Sequence, residues 1–135
     1  MLGELARWLR LLGYDTHYDK GLTDDELISR SKTESRILLT SDLELFRKAI
    51  KKGVRSLLIK PGNLASRLAV IVKKCRLELR LDPADSRCPI CNGKIREYSD
   101  TNELKKKVSA NVLKASKEFW VCTDCGKIYW IGGHW

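Results

Sequence analysis

Apolar positions divide the first part of the chain into alternating helices and strands. Leu2, Leu5, Trp8, Leu9 and Leu12 recur at helical spacing, and Gly13 supplies a C-terminal stop. Tyr14 to Tyr18 predicts a short strand. Thr23-Asp24-Asp25-Glu26 has the capping-box pattern and predicts a helix to about Lys32. Arg36 to Thr40 carries the apolar run of a strand buried on both faces. Ser41-Asp42-Leu43-Glu44 repeats the capping-box pattern, and the helix it opens ends at Gly53. Val54 to Ile59 predicts another buried strand, broken by Pro61-Gly62. Asn63 then caps a helix through about Arg76, with Leu64, Leu68, Ile71 and Cys75 on one face. Strands alternating with helices imply βαβ units and a parallel sheet.

The pattern changes after the polar break Asp82-Pro83-Ala84-Asp85. Residues 86–98 and 118–131 predict hairpin strands, and Thr101 to Lys117 between them is a polar, lysine-bearing insertion, part of it helical. The two predicted domains are therefore an α/β domain over 1–82 and a smaller module over 83–135.

The cysteines define that module. Four of the five fall in two pairs, Cys88-Pro-Ile-Cys91 and Cys122-Thr-Asp-Cys125. Each C-x-x-C wraps a metal in a tight knuckle, and two knuckles complete a tetrahedral thiolate site for one structural zinc ion. Asn92-Gly93 and Gly126 follow the pairs as the turn residues a knuckle needs to return into a hairpin. Two disulfides or two redox pairs are the alternative. Disulfides fit poorly with a cytoplasmic setting, and neither pair opens a helix after a strand. Cys75 reads as a small buried apolar residue.

Length and charge narrow the rest. The 135 residues suit one compact domain or a small one with an appendage, and 43% hydrophobic residues are enough for a core. The longest apolar runs, such as Leu68 to Val72, fall far short of the roughly 20 residues of a membrane span. Glu4, Arg7 and Arg10 interrupt any signal-peptide core, so the expected location is the cytoplasm. The net charge is +9, which points either to a polyanionic partner or to a solubilising surface. Its distribution is uneven: residues 15–26 carry a net −4, whereas residues 27–82 carry +9. Acids gather at helix N-termini because the helix dipole favours them there, which accounts for Asp24 to Glu26 better than for Asp19.

Ligands of open parallel sheets bind beyond the carboxyl ends of the strands. Asp19 follows the first expected strand and Asp42 the second, while Asp24 and Asp25 open the helix between them. Carboxylates converging there suit one or two Mg²⁺ or Mn²⁺ ions, hard cations that take oxygen ligands and activate water against phosphodiesters.

Several segments carry a specific resemblance. They are Met1-Leu2-Gly3-Glu4-Leu5-Ala6-Arg7-Trp8-Leu9-Arg10-Leu11-Leu12-Gly13-Tyr14-Asp15, Arg36 to Asp42, Ser86 to Gly93, Phe119 to Trp130, and Gly133-His134-Trp135. Together they resemble the Mut-seven C-terminal RNase domain family, over nearly the whole chain. The resemblance implies a PIN-like three-layer α/β/α sandwich with a parallel sheet, followed by a small zinc ribbon, and a metal-dependent endoribonuclease activity on RNA. It also implies a first strand, ending in an aspartate, upstream of Met1. Carried over by motif, Asp42 is the acid after the strand and Asp24 the acid opening the preceding helix. Asp25 is a one-residue alternative, and Asp19 a weaker match. Arg7 and Arg10 are implied phosphate contacts, one of which could instead brace the site.

The remaining residues divide the functional alternatives. Lys105-Lys106-Lys107 suits either phosphate contact or a solvated surface. Trp120, Tyr129 and Trp130 flank the second knuckle, where they either stack on bases or bury the hairpin, and a small ribbon needs such ballast. His17 reads as structural or exposed, and His134 beside Trp135 as a terminal packing residue or an RNA contact. Beside the ribonuclease stand two other readings: a non-catalytic nucleic-acid-binding adaptor that uses the ribbon, and a module that docks on a protein partner.

Overall fold

A computed structural model describes residues 2–79, 85–115 and 118–130. The expectations for Asp82-Pro83-Ala84, for the ends of the insertion and of the last strand at Lys117 and Ile131, and for His134 and Trp135 lie outside those residues. Two compact units divide the chain, one of Met1–Leu5 with Tyr18–Glu78 and the other of Ala6–His17 with Leu79–Trp135. Helix α1 (Leu2–Leu11) contributes residues to both.

The first unit is a small α/β assembly. Helix α2 (Asp24–Thr33), strand β1 (Leu38–Thr40), helix α3 (Leu43–Lys51), strand β2 (Ser56–Leu58) and helix α4 (Leu64–Cys75) follow in order. β1 and β2 pair in parallel, with Leu38 opposite Ser56 and Thr40 opposite Leu58. Flanking bonds from Leu38 N–H to the Arg55 carbonyl (2.8 Å) and from Ile59 N–H to the Thr40 carbonyl (2.7 Å) extend the ladder at both ends. Ile28, Leu38, Leu45, Ala49 and Val54 form the core, with Leu27 packed against it. The mixed α/β character and the parallel sheet agree with the sequence pattern, although each strand is shorter than its apolar run. Among the described residues the parallel sheet has two strands.

Local chemistry sets the helix boundaries. Thr23 caps α2 by accepting from Glu26 N–H (3.2 Å), while its hydroxyl donates to the Glu26 carboxylate (3.1 Å). The cap of α3 is Asp42, one residue later than the capping-box pattern suggested, because its Oδ1 accepts from both Glu44 N–H (2.9 Å) and Leu45 N–H (3.3 Å). Asn63 caps α4 as expected. At its far end, α3 closes in a Schellman turn. Gly53 N–H donates to the Ile50 carbonyl and Val54 N–H to the Ala49 carbonyl, with Gly53 left-handed at φ +79°.

The second unit is an antiparallel ribbon with two short helices. Strands β3 (Ile95–Glu97), β4 (Phe119–Cys122) and β5 (Ile128–Trp130) pair in that order, and β4 is central. Alternation along β4 sends Trp120 and Cys122 to one face and Phe119 and Val121 to the other. Both faces are covered. The first belongs to a cluster of Cys88, Ile95, Trp120, Cys122 and Tyr129. The second meets Leu104, Ile128, Val108, Val112 and Leu113, residues of β5 and of the 101–117 insertion. That insertion forms α5 (Thr101–Lys107) and α6 (Ala110–Ala115), so a segment that reads as polar supplies a lid for half of the ribbon core.

Tyr14–Tyr18 is not a strand. Gly13, at φ +98°, closes α1 in the same Schellman manner as Gly53 closes α3, and the segment beyond it is held by side-chain bonds instead of a ladder. A Cβ added at Gly13 would meet the Asp85 carbonyl oxygen at 2.7 Å, and that oxygen is backbone and cannot swing aside. Gly13→Ala combines this overlap with an unfavourable φ and should destabilise the second unit by roughly 1–3 kcal/mol. Denaturant unfolding followed at the ribbon tryptophans measures the loss.

Candidate metal centre and acidic edge

The two C-x-x-C segments fold into equivalent knuckles. In the first, Cys88 N–H donates to the Gly93 carbonyl (2.8 Å) and Asn92 N–H to the Cys88 carbonyl (2.8 Å). In the second, Cys122 N–H donates to the Lys127 carbonyl (2.9 Å) and Gly126 N–H to the Cys122 carbonyl (3.1 Å). Each knuckle thus turns on the residue after its second cysteine. Asn92 (φ +70°) and Gly126 (φ +77°) both occupy the left-handed region.

The knuckles bring all four sulfurs within 4.8 Å of one another. Cys91 and Cys122 Sγ are 3.3 Å apart and Cys88 and Cys125 Sγ are 3.7 Å apart. A zinc tetrathiolate with Zn–S near 2.3 Å has S···S edges of about 3.8 Å, so the donor type, number and spacing fit this ion. Among the described residues these four form the one group of three or more His, Cys, Asp or Glu ligand atoms close enough to share a cation.

The surroundings suit thiolates. Burial opposes ionisation of Cys122, but amide N–H groups of Cys125 and Asp124, each 3.4 Å from its Sγ, overcome it and lower the thiol to about 7. Burial pushes Cys91 up to about 12 against a bond from the Gly93 backbone, and raises Cys125 as well. Tyr129, 1% exposed, places its hydroxyl 2.9 Å from Cys88 Sγ. Burial and the neighbouring thiols raise this phenol, so its protonated hydroxyl lies within hydrogen-bond distance of Cys88 Sγ. Trp120 is buried in the same cluster, so both aromatics serve the ribbon core.

Gly93 permits the approach of the two knuckles. A Cβ there would lie 2.6 Å from Asp124 Oδ2 and 2.9 Å from Cys122 Sγ.

The residues before the ribbon bind the first knuckle. Arg10 is 8% exposed; its Nε donates to the Thr16 carbonyl (2.9 Å) and its Nη1 to the Pro89 carbonyl (2.8 Å) inside the first C-x-x-C. Burial lowers the Arg10 pKa, while Cys88 and Cys91 favour its charge. Its guanidinium is thus committed to the knuckle, whereas Arg7 and Lys105, Lys106 and Lys107 are exposed. His17 lies on the surface, its Nε2 3.8 Å from Asp15 Oδ1.

The acidic candidates occupy the first unit. Asp42 is exposed at the carboxyl end of β1, serving as the cap of α3. Asp24 and Asp25 lie in the first turn of α2. Asp25 Oδ1 is 2.6 Å from Lys48 Nζ; this bond depresses the carboxyl and raises the lysine. Asp19 Oδ1 accepts from Gly21 N–H (2.8 Å) in a turn of its own. These four carboxylates do not come together as a three-ligand cluster. Cys75 lines a half-buried part of α4, where burial raises its thiol.

The residue pattern marked Asn92 as a turn residue and Tyr129 as a flanking aromatic, but not the bonds of Asn92 to Asp15 and Thr16 or the contact of the Tyr129 hydroxyl with Cys88 Sγ. The one signal for Asn92 is its mismatch with Gly126 at the equivalent knuckle position.

Two knuckles on a three-stranded antiparallel sheet form a four-cysteine cluster compatible with a zinc ribbon, and the chain also carries an α/β unit with a small parallel sheet. The family model for the Mut7-C RNAse domain matches residues 1–135, and the chain belongs to that family. No curated protein and no solved structure matches it. No helix among the described residues is long and apolar enough to cross a membrane.

Two outcomes test the metal centre. Gly93→Ala should keep the ribbon fold but weaken zinc retention roughly 10- to 100-fold in a chelator competition, the range seen when groups supporting metal ligands are disturbed. Zinc loading at neutral pH should release protons from Cys91 and Cys125, whose raised values keep them protonated without metal. Zinc affinity therefore rises with pH and falls on acidification, as an indicator-dye titration in weak buffer would record.

Proposed function

We propose that the protein is a Mg²⁺- or Mn²⁺-dependent endoribonuclease, a PIN-like α/β/α sandwich carrying a zinc ribbon. The observation that carries this reading is the match to the Mut7-C RNAse domain along the whole chain. Asp42 supports it, as an exposed carboxylate where a parallel strand meets a helix N-terminus.

In this reading Asp42 and Asp24 hold the cation, with Asp25 and Asp19 as neighbouring alternatives. Mg²⁺ characteristically takes one or two carboxylates and completes its shell with waters and substrate phosphates, so an RNA-completed site needs no cage of three acids. When bound, such an ion lowers the pKa of an attacking water and offsets charge on the leaving oxygen. Asp42 presents its carboxylate in a fixed pose, because two amides of α3 hold Oδ1. Exposed Arg7, Lys105, Lys106 and Lys107 take phosphates of the RNA backbone, a contact that weakens with salt.

Asp42→Asn separates chemistry from folding. Asparagine caps a helix about as well as aspartate, so α3 and the melting temperature should be preserved while the anionic ligand is lost. Cleavage of a labelled RNA should fall on the order of 100-fold or more, the scale of losing a key electrostatic group, and EDTA should stop it. Undiminished cleavage by the purified variant would refute the assignment.

The ion pair of Asp25 with Lys48 and the separation of the carboxylates favour a second reading, a nucleic-acid-binding protein without turnover. Salt-sensitive RNA binding that ignores Mg²⁺, with no cleavage by the unmodified chain, would establish it instead.

A further inference from the structure

The two knuckles share a backbone path but not the residue at its turning point. At the second, Gly126 is exposed and a Cβ built on it would meet nothing within 4 Å. A glycine there satisfies the positive φ and does nothing more. At the first, Asn92 accepts the strain of φ +70° and is 9% exposed, with both ends of its amide engaged. Its Oδ1 accepts from Thr16 N–H (2.9 Å), and its Nδ2 donates to Asp15 Oδ1 (2.6 Å).

This residue is the centre of a longer contact. The Asn92 carbonyl accepts from Arg87 Nη1 (2.9 Å), and Arg87 N–H donates to the Arg10 carbonyl (2.7 Å). Ser86, 3% exposed, donates its hydroxyl to the Leu11 carbonyl (2.5 Å). Arg10 reaches in the opposite direction, bonding the Pro89 carbonyl while it holds the Thr16 carbonyl. Residues 10–16 thus have side chains and backbone of 86–92 as their partners, and no strand ladder forms at Tyr14–Tyr18 where the sequence suggests one. Those partners include the backbone of the first knuckle itself, at Pro89 and Asn92.

We infer that Asn92 is a latch through which the metal-bound knuckle orders residues 10–16, so that the zinc site organises the amino-terminal segment as well as the ribbon. An asparagine is suited to this position because it tolerates the left-handed region and offers one acceptor and one donor at the same time. Glycine, as at 126, would keep the knuckle and lose the latch. The coupling holds whether or not the chain cleaves RNA, and hydrogen exchange reads it without any activity measurement.

The test uses the full-length zinc-loaded chain and the exchange of single amides. Removing zinc with a chelator should deprotect Thr16 and Arg87 together with the ribbon amide of Cys122, while Leu38 and Ile59 in the parallel sheet stay protected. Asn92→Gly, still holding one zinc per chain, should lose about tenfold in protection at Thr16, as expected for removal of one buried hydrogen bond. Asn92→Asp sets two carboxylates face to face and should lose at least as much. Combining it with Asp15→Asn exchanges donor and acceptor, and should restore Thr16. Thr16 protection that survives chelation, that is unchanged in zinc-loaded Asn92→Gly, or that the double exchange fails to restore, would overturn the latch. If chelation unfolds the whole chain, the two zinc-loaded comparisons decide alone.

Discussion

Four sulfurs held within 4.8 Å of one another are the constraint on which the second unit depends. Thiolates at that separation repel, and the apolar cluster beneath them is small: Cys88 and Cys122 are themselves two of its five members. The unit therefore combines three sources of order that none could supply alone. A divalent ion held by the four cysteines would offset the sulfur charge, the ribbon buries both faces of β4, and the segment around Arg10 brings a buried cation to the first knuckle. Each repeats the logic of small domains, in which a metal substitutes for the core that chain length cannot provide.

What was legible in the sequence is what depends on near neighbours. Thr23, Asn63, Gly13 and Gly53 announce helix ends because a cap or a Schellman turn involves residues only a few positions apart. The cysteine pairs are legible because a knuckle is a local structure, and their convergence follows from ligand arithmetic. The misreadings share the opposite property. Tyr14–Tyr18 has the alternation of a strand, yet Thr16 N–H finds its acceptor on Asn92, 76 residues away. Arg10 resembles a surface cation on a helix until Pro89, 79 residues on, supplies its acceptor. The 101–117 insertion looks polar because Leu104, Val108, Val112 and Leu113 are spread thinly among lysines, and only the uncovered face of β4 gives them a purpose.

The acidic edge shows how one residue type serves two demands. Asp42, Asp24 and Asp25 lie where a helix dipole and unsatisfied amides favour carboxylates, with or without a metal. Position alone cannot then distinguish ligand from cap. The partners do distinguish them in part. Asp42 Oδ1 is held by two amides, whereas Asp25 is paired with Lys48. A carboxylate paired with an ammonium is a poor resident ligand, since a metal must first displace that partner. Asp42 is accordingly the stronger metal ligand of the two under the nuclease reading.

The same reasoning resolves the net charge of +9. A divalent zinc on the four cysteine thiolates would remove two units. Lys48 and Lys51, Lys73 and Lys74, and Lys105 to Lys107 all fall in the last turns of α3, α4 and α5, where cations complement the helix C-terminus. Arg10 is buried beside the thiolates, Arg30 and Arg36 contact Glu34, and Arg87 approaches Asp15. Much of the basic excess is thus structural in origin, and total charge overstates the surface offered to a polyanion. Lysines at helix ends remain exposed, however, and an exposed cation that stabilises its helix is also available to a phosphate. Lys105 to Lys107 thus sit where a helix C-terminus favours cations, while Asp24, Asp25 and Asp42 sit where helix N-termini favour anions, a separation set by the dipoles of the helices themselves.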